Sequence, residues 1–270
     1  MKTRIIAAVV LLPLLLLVVL AAPKVCTAIL FGVMASVAAY ELLSGTGLVK
    51  NTRLCAYTAV CAFLCVLWCG SGISYGWLLL VVLLFWTALF AEVMAGGMKL
   101  TFDKIGICLA GGVILPLLFG ALVRIHSSPV GRVLIFIPFI LAFMSDTGAY
   151  FAGYFFGKHK LAPVISPKKT VEGVVGGVLG AVVGMVIYCA IISAAYDFTV
   201  NYFFAVIYGL AGSLAAVFGD LCFSVIKRQT GIKDYGNLIP GHGGILDRFD
   251  SMMVVGPLAE VLLLLLPVVM

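Results

Sequence analysis

One stretch near the C-terminus, Ser224–Asp250, gathers charged and glycine residues within a sequence that is otherwise mostly apolar. It reads SVIKRQTGIKDYGNLIPGHGGILDRFD and contains lysines, arginines, spaced aspartates and a glycine-rich turn. Charge is costly beside a lipid bilayer unless it has partners or a function. Carboxylates bind hard cations such as Mg²⁺, and Lys and Arg bind phosphate. The stretch therefore predicts a metal and phosphate site at a membrane surface.

A glycine-rich turn in this stretch precedes two of its acids. Its residues are Pro240, Gly241, Gly243 and Gly244. Backbone amides of such a turn can form an anion-binding nest, and a helix is expected to begin directly after it. Asp247 and Asp250 are three residues apart, so we expect them to be neighbours on that helix, with Arg248 beside them. The alternative interpretation is a capped helix start with a surface Asp–Arg pair.

The preceding helix, around GDLCFSVIKR, supplies a third acid. At 100° per residue, Asp220, Ser224 and Lys227 fall within about 60° of arc, so one helix face presents an acid, a hydroxyl and an ammonium. Arg228 flanks this row. The alternative is a structural salt bridge between Asp220 and Lys227, but an acid inside an apolar run usually has a function.

The segment SPKKTVEG carries two adjacent lysines. Ser166 and Pro167 suit the N-cap and the first position of a helix, which would place Lys168 and Lys169 in its first turn. Positive charge there opposes the helix dipole unless an anion is bound at the helix start. A phosphate contact and a simple membrane-orientation signal explain the pair equally well at this point.

A further acid, Asp146, lies in SDTGAY, well inside a predicted membrane helix. It is expected roughly 15 Å from the cytoplasmic end, at 1.5 Å of rise per residue. An acid at that depth needs a cation or a water-filled cavity. We therefore expect a polar funnel that opens to the cytoplasm.

The elements that position these residues are predicted to be membrane helices. The sequence is 64% hydrophobic and 10% charged, as in polytopic membrane proteins. Long continuous apolar runs exclude a transmembrane barrel, whose strands alternate in polarity. The predicted fold is an all-α polytopic membrane bundle of nine spans. These lie near residues 5–22, 25–43, 54–70, 75–96, 105–123, 133–155, 174–195, 202–223 and 251–269.

The distribution of Lys and Arg predicts the orientation of this bundle. With nine spans, 14 of the 17 Lys and Arg residues fall on the side of the N-terminus, and only Lys24, Arg124 and Arg132 fall on the other. This excess predicts a cytoplasmic N-terminus and an outer C-terminus in the cell (inner) membrane. The net charge of +6 reflects this orientation, so it does not imply a nucleic-acid partner.

The two halves of the chain differ in polar content. Residues 1–130 are expected to form scaffold helices, and residues 131–270 a catalytic region whose polar site faces the cytoplasm. Glu41 and Glu92 are isolated acids of the scaffold half, which we interpret as helix-end or packing residues. The seventh span opens with glycines at GxxxG spacing, which indicates close helix packing, either within the chain or in a homodimer. These glycines are Gly173, Gly176, Gly177, Gly180 and Gly184.

The pattern S-x-x-K-R-x-x-x-x-K-D-x-x-x-x-I-P-G-H-G-G-x-x-D-R-x-D, from Ser224 to Asp250, resembles the signature of the phosphatidate cytidylyltransferase family. The segments SDTGAYFAGYFFGK and SPKKTVEG resemble upstream motifs of the same family. The resemblance covers the C-terminal half, and the first 130 residues resemble the family only as hydrophobic spans. It implies transfer of CMP from CTP to phosphatidic acid, giving CDP-diacylglycerol and pyrophosphate, with Mg²⁺ required.

The resemblance also implies roles for individual residues. Mg²⁺ would be held by Asp220 and Asp247, with Asp250 or Asp146 completing a site for a second cation. His242 is expected to contact phosphate or base. The remaining residues of the expected substrate site contact phosphates, and they are Lys168, Lys169, Ser224, Lys227, Arg228, Lys233, Gly241, Gly243, Gly244 and Arg248. The acyl chains are expected to remain among membrane lipids.

Two other functions are compatible with the sequence. One is a different CTP-dependent lipid enzyme, such as an isoprenoid kinase or an archaeal-lipid cytidylyltransferase, which product analysis would distinguish. The other is a non-enzymatic transporter whose charged loops gate a pore, and which would not turn over CTP.

Overall fold

The computed structural model describes residues 13–96, 101–239 and 241–269. Residues 13–21 are helical. The helices that follow are α1 Lys24–Tyr40, α2 Thr52–Ser71, α3 Tyr75–Ala95, α4 Phe102–Leu109, α5 Leu115–Ser127, α6 Gly131–Leu134, α7 Phe136–Phe156, α8 Val171–Tyr196, α9 Tyr202–Gln229, α10 Leu246–Phe249 and α11 Met252–Leu265. Two π-helical turns, Glu41–Gly45 and Ala110–Ile114, follow α1 and α4.

Seven of these helical segments are long and apolar enough to cross a membrane. They are Lys24–Gly45, Thr52–Ser71, Tyr75–Ala95, Phe102–Ser127, Gly131–Phe156, Val171–Tyr196 and Tyr202–Gln229. They coincide with the predicted second to eighth spans and confirm a polytopic helical membrane protein. Residues 5–12 of the predicted first span lie outside the described residues, and α11 has 14 residues, fewer than the roughly 20 that a span requires. The count of nine and the orientation stay predictions.

The helices group into two compact units. The described residues of Met1–Ser127 and of Gln229–Phe249 form the first unit, and those of Ser128–Arg228 and Asp250–Met270 form the second. The first unit therefore includes the segment Gln229–Phe249, here called the signature loop, which the sequence analysis places in the catalytic region. The C-terminal half thus contributes residues to both units.

The core of the first unit is formed by α1, α2 and α5. The rings of Phe31 and Phe119 meet edge to face with centroids 5.6 Å apart. Small residues on α1 and α2, such as Ala35 and Ala62, are fully buried and let the helix backbones approach closely. Lys24 Nζ donates a hydrogen bond to the Ser127 carbonyl (2.8 Å), so α1 starts at the same end of this unit at which α5 finishes.

The second unit is built on the close packing of α7 against α8. A Cβ atom added at Gly148 would collide with the carbonyl of Gly176, and one at Gly180 would press on the carbonyl of Met144. The Ser145 and Ser213 hydroxyls share a 2.7 Å hydrogen bond that ties α7 to α9. The glycine spacing at the start of α8 is therefore explained by packing within the chain.

The segment before α8 differs from the predicted helix start. Ser166–Thr170 forms a strand, β2, which pairs antiparallel with β1, Lys160–Ala162. The helix begins at Val171, and its N-cap is Thr170, whose hydroxyl accepts from the Gly173 amide (3.1 Å). The prediction that Ser166 and Pro167 open the helix was therefore wrong, because a threonine closer to the apolar run serves as the cap and the preceding residues pair as a hairpin.

Candidate active site

The acid of α9 forms an ion pair with the second lysine of β2. Lys169 Nζ lies 2.6 Å from Asp220 Oδ2, and it also donates to the Val217 carbonyl (3.3 Å). Ser224 Oγ donates to Asp220 Oδ1 (3.1 Å), which confirms that these two residues share the helix face predicted from their spacing. Both carboxylate oxygens of Asp220 thus have a partner, and the hairpin is fastened to the polar end of α9.

A second carboxylate of this unit, Asp250, interacts with Asp220. Gly219 lets α9 approach the backbone of Asp250 closely, because a Cβ atom on Gly219 would lie only 3.0 Å from the Asp250 carbonyl oxygen. Burial and the charges of Asp220 and Asp146 together raise the pKa of Asp250 to about 6, while the Ser251 amide and Lys227 oppose the shift. We call Asp146, Asp220 and Asp250 the acidic cluster. Acids that repel one another in this way are a favourable setting for a cation.

The basic residues around the acidic cluster differ in their environment. Lys168 is exposed, and Lys227 is half-buried. Arg228 donates from Nε to the Ile165 carbonyl (3.1 Å), so its guanidinium is held beside the hairpin. Asp146 is exposed on α7, directly after the buried Ser145. The second unit therefore combines carboxylates with cations, the side-chain types that bind a metal-phosphate group.

In the first unit, Asp247 holds the signature loop together. Its Oδ2 accepts from the backbone amides of Tyr235 (2.8 Å) and Gly244 (3.0 Å), and only 7% of the residue is exposed. Amide donors to an ionised carboxylate form strong, charge-assisted hydrogen bonds. The predicted metal ligand Asp247 thus has a structural task within its own loop.

The glycine-rich turn is present, with Gly241 and Gly243 at positive φ angles of 77° and 87°. Pro240 lies outside the described residues. The expected anion nest is corrected in one respect: the Gly244 amide points at the carboxylate of Asp247 inside the protein. In addition, α10 ends at Phe249, so Asp247 and Asp250 do not share one continuous helix as predicted.

A polar cavity of about 400 Å³ opens in the signature loop, within the size range of small-molecule sites. Its lining includes Lys233, Asp234, Asn237, Ile239, Gly241, His242, Gly243 and Arg248. The Nδ1 atom of His242 is buried and has no hydrogen-bond partner among the described residues. A buried polar atom without a partner is costly, and this sets His242 apart from the other residues that line this cavity, here called the loop cavity.

The sequence analysis missed one residue of the first unit that contacts the signature loop. Glu41, at the end of α1, accepts hydrogen bonds from the Ile245 amide (3.1 Å) and the Leu246 amide (2.8 Å). The signal available in the sequence was an acid inside an apolar run, which usually has a function. We interpreted it as a helix-end or packing residue because it is an isolated acid of the scaffold half.

The donor set of the acidic cluster fits Mg²⁺. In the part of the chain that the structure describes, no three His, Cys, Asp or Glu side chains converge to hold a metal ion by themselves. Mg²⁺ is usually held by one or two carboxylates together with substrate phosphates and water, so a full protein cage is not expected. The close approach of the Asp250 backbone to α9 at Gly219, directly before Asp220, is the structural observation that favours a cation here.

The predicted site residues thus fall into two groups. Lys168, Lys169, Ser224, Lys227, Arg228 and the acidic cluster belong to the second unit, whereas Lys233, the turn glycines, His242, Asp247 and Arg248 belong to the first. In the second unit, Asp220 is bonded to Lys169 and Ser224. In the first unit, Lys233, Gly241, His242, Gly243 and Arg248 line the loop cavity, and Asp247 is bonded to the Gly244 amide. A shared site for Asp220 and Asp247 stays a prediction.

Comparisons with known proteins connect this arrangement to a family. The chain is 44% identical over 131 residues to a phosphatidate cytidylyltransferase of Staphylococcus aureus, a match that covers 47% of each chain. It is 42% identical over 126 residues to one of Staphylococcus haemolyticus, again covering 47% of each. The chain spans about half the length of the curated relatives that it matches.

A family model gives the wider relationship. The model of the cytidylyltransferase family matches residues 2–266, which include the acidic cluster, the hairpin and the signature loop. Because the match extends over nearly the whole chain, it includes the apolar helices as well as the charged motifs. This protein therefore belongs to the cytidylyltransferase family.

Proposed function

We propose that this protein transfers CMP from CTP to phosphatidic acid, giving CDP-diacylglycerol and pyrophosphate for phospholipid biosynthesis. The relatives at 41–44% identity are named phosphatidate cytidylyltransferases. The observation that carries the proposal is the ion pair of Lys169 with Asp220 beside Asp250. It combines the carboxylates and the cation that a metal-bound triphosphate requires, at the polar end of a membrane helix.

The proposed reaction needs little acid–base catalysis from the protein. An oxygen of the lipid phosphate attacks the α-phosphorus of CTP and forms a new P–O bond. The bond from the α-phosphorus to the bridging oxygen breaks, and pyrophosphate leaves with the electron pair. The nucleophile is already anionic at neutral pH, so no strong general base is needed. Positioning of the phosphates and neutralisation of their charge supply most of the catalysis.

The loop cavity is suited to the nucleotide. Lys233 and Arg248 line it together with His242, so two cationic side chains and an imidazole ring lie around the same space. Arg and Lys bind phosphate oxygens through charge-assisted hydrogen bonds. Asn237, also in the lining, offers amide groups that can contact the cytosine edge. We assign this cavity to the phosphates and base of CTP.

The cations of the second unit are suited to the phosphate of the lipid substrate. Lys168 is exposed, Arg228 is held beside the hairpin, and Lys169 and Lys227 interact with the acidic cluster. We assign this group to the lipid phosphate. The acyl chains then stay in the bilayer, along the apolar helices.

Mg²⁺ is proposed as the cofactor, held by Asp220 and Asp250 with Asp247 as a further ligand, and Asp146 is available to a second cation. When bound, it neutralises phosphate charge and orients the triphosphate. Asp220 and Asp250 are the better supported ligands, because Gly219 lets the Asp250 backbone approach α9 directly before Asp220. Lys169 holds Asp220 in place from the hairpin.

The site is proposed to face the cytoplasm, where CTP is available, in a multi-pass inner-membrane protein. The excess of Lys and Arg on the predicted N-terminal side supports this orientation. The hairpin and the signature loop both follow predicted spans that end on that side. A shared cytoplasmic face is required for both loops to reach one substrate.

Purified protein in detergent tests the activity. CTP and phosphatidic acid are expected to yield CDP-diacylglycerol in the presence of Mg²⁺, and no product with EDTA. Omitting phosphatidic acid should abolish CTP consumption, because no acceptor phosphate is then present. An isoprenol or an archaeal-type lipid acceptor in place of phosphatidic acid separates the related lipid enzymes. Absence of CTP turnover with every acceptor would instead favour a transporter.

A further inference from the structure

The signature loop carries three consecutive backbone amides that point at two buried carboxylates. The Gly244 amide donates to Asp247, and the next two amides, of Ile245 and Leu246, donate to Glu41 at 3.1 and 2.8 Å. Asp247 belongs to the loop itself, whereas Glu41 lies on the first long helix of the same unit. These hydrogen bonds to Glu41 connect residues 204 and 205 positions apart in the sequence.

The surroundings of Glu41 are shaped to the loop. Only 5% of the residue is exposed. A Cβ atom added at Gly236 or at Gly244 would collide with its carboxyl group, so the two glycines leave the space that the carboxyl group fills. Glu41 also opens the π-helical turn Glu41–Gly45, and a Cβ on Gly45 would collide with the carbonyl of Tyr235. The backbone of the signature loop therefore packs closely against this π-helical turn, both at Glu41 and at Gly45.

Electrostatics favour a specific role for this contact over simple packing. A buried carboxylate is costly unless donors offset that cost, and here two backbone amides offset part of it. Glu41 and Asp247 accept from separate pairs of backbone amides, Glu41 from Ile245 and Leu246, and Asp247 from Tyr235 and Gly244. The amides in turn fix the backbone between Gly244 and Asp247, directly before Arg248.

We propose that Glu41 is a positioning residue, which holds the signature loop in the shape that presents Lys233, His242 and Arg248 to the nucleotide. Its role in catalysis rests on the proposed function above, whereas its role in holding the loop does not. Small misplacements of binding groups reduce catalysis strongly, even when the altered residue is remote from the reacting atoms. The scaffold half of the chain thus contributes to the nucleotide site.

Two variants test this proposal, one at Glu41 and one at Gly236, a loop glycine that packs against its carboxyl group. Glu41→Gln keeps the shape of the side chain and removes its charge, so the charge-assisted hydrogen bonds weaken. Gly236→Ala leaves Glu41 unchanged and places a methyl group against its carboxyl oxygen. If one of them does not fold, the other still tests the contact.

Each variant has a matched control in the same unit. Glu92→Gln is the same substitution at another acid near a helix end, one that bonds to Tyr57 and Arg53 on α2. Gly106→Ala adds a methyl group to a helical glycine with open space around its Cβ position. Both controls are expected to match the wild type in every measurement below.

The first measurement is amide hydrogen exchange of the full-length protein in detergent, over a peptide that contains Ile245 and Leu246. Glu41→Gln and Gly236→Ala are expected to speed exchange there by about tenfold or more, because native hydrogen bonds limit local opening. Unchanged exchange in both variants would overturn the proposal. This result does not depend on the enzymatic activity, so it stands even if the proposed function fails.

The second measurement separates positioning from general stability. The KM for CTP is expected to rise and kcat/KM for CTP to fall by about tenfold, while the KM for phosphatidic acid stays at the wild-type value. Equal losses for both substrates, or wild-type kinetics despite faster exchange, would overturn the positioning role. A wild-type protein that does not turn over CTP would refute the proposed function instead, and the exchange result would still decide whether Glu41 holds the loop.

Discussion

Lys169 and Asp220 form a 2.6 Å ion pair that joins the hairpin before α8 to the polar end of α9. The same lysine donates to a backbone carbonyl of α9, while its neighbour Lys168 is exposed. The two lysines of the SPKKT segment are therefore not equivalent. Lys169 forms an ion pair within the acidic cluster, whereas Lys168 is exposed and can contact a ligand from solvent.

This difference predicts distinct phenotypes for the two lysines. Lys169→Gln removes the counter-charge of Asp220, so turnover is expected to fall by about 100-fold, and half-maximal activity should need less Mg²⁺. Lys168→Gln should raise the KM for phosphatidic acid by a few-fold and leave the Mg²⁺ dependence unchanged. Steady-state kinetics at varied Mg²⁺ measure both effects. Identical behaviour of the two variants would contradict the different roles.

The aspartates of the two units are expected to differ in their effect on stability. Asp220→Asn and Asp247→Asn should each reduce kcat by about 100-fold or more if both are metal ligands. Only Asp247→Asn should also lower the apparent Tm, because Asp247 holds two buried loop amides. Activity and thermal unfolding of the purified variants test this. Near-normal turnover in either variant would remove that residue from the proposed metal site.

Asp250 predicts a pH-dependent stability. Its pKa rises from the ordinary 3.8 to about 6 in the folded protein, mainly because of burial. The protonated form therefore favours folding, and this contribution is fully present below about pH 4 and lost as pH rises through 6. In EDTA, Asp250→Asn should raise the apparent Tm at pH 8 and much less at pH 5. An equal change at both pH values would contradict the assignment.

The predicted orientation can be tested at exposed positions. In a background without native cysteines, single cysteines at Lys168 and Asn237 should react with an impermeant thiol reagent from the cytoplasmic side. A cysteine at Asp197, in the loop after α8, should react from the other side. The three residues are exposed, so the side of the membrane decides their labelling. Labelling of Lys168 and Asn237 from opposite sides would contradict one shared site.

Local sequence patterns predicted the parts of the fold that depend on neighbouring residues. Long apolar runs identified seven helices, and helical spacing placed Ser224 beside Asp220, as the structure confirms. The hairpin was missed because β1 has only three residues and because Ser166–Pro167 also suits a helix start. Thr170 lies nearer to the apolar run and caps the helix instead.

Contacts between distant parts of the chain could not be predicted from residue spacing. Lys169 and Asp220 come from different elements, and spacing alone suggested Lys227 as the partner of Asp220. Glu41 meets the signature loop more than 200 positions later, with no complementary charge to reveal the pairing, because its partners are backbone amides. Backbone donors are common to all non-proline residues, so they leave no pattern in the sequence.

The fate of the individual CTP phosphates tests the proposed reaction most directly. Purified protein would be given phosphatidic acid, Mg²⁺ and CTP radiolabelled at either the α- or the γ-phosphate. Attack at the α-phosphorus predicts that the α label enters the lipid and that the γ label appears only in pyrophosphate. Transfer of the γ label to the lipid would show a kinase reaction and would contradict cytidylyl transfer.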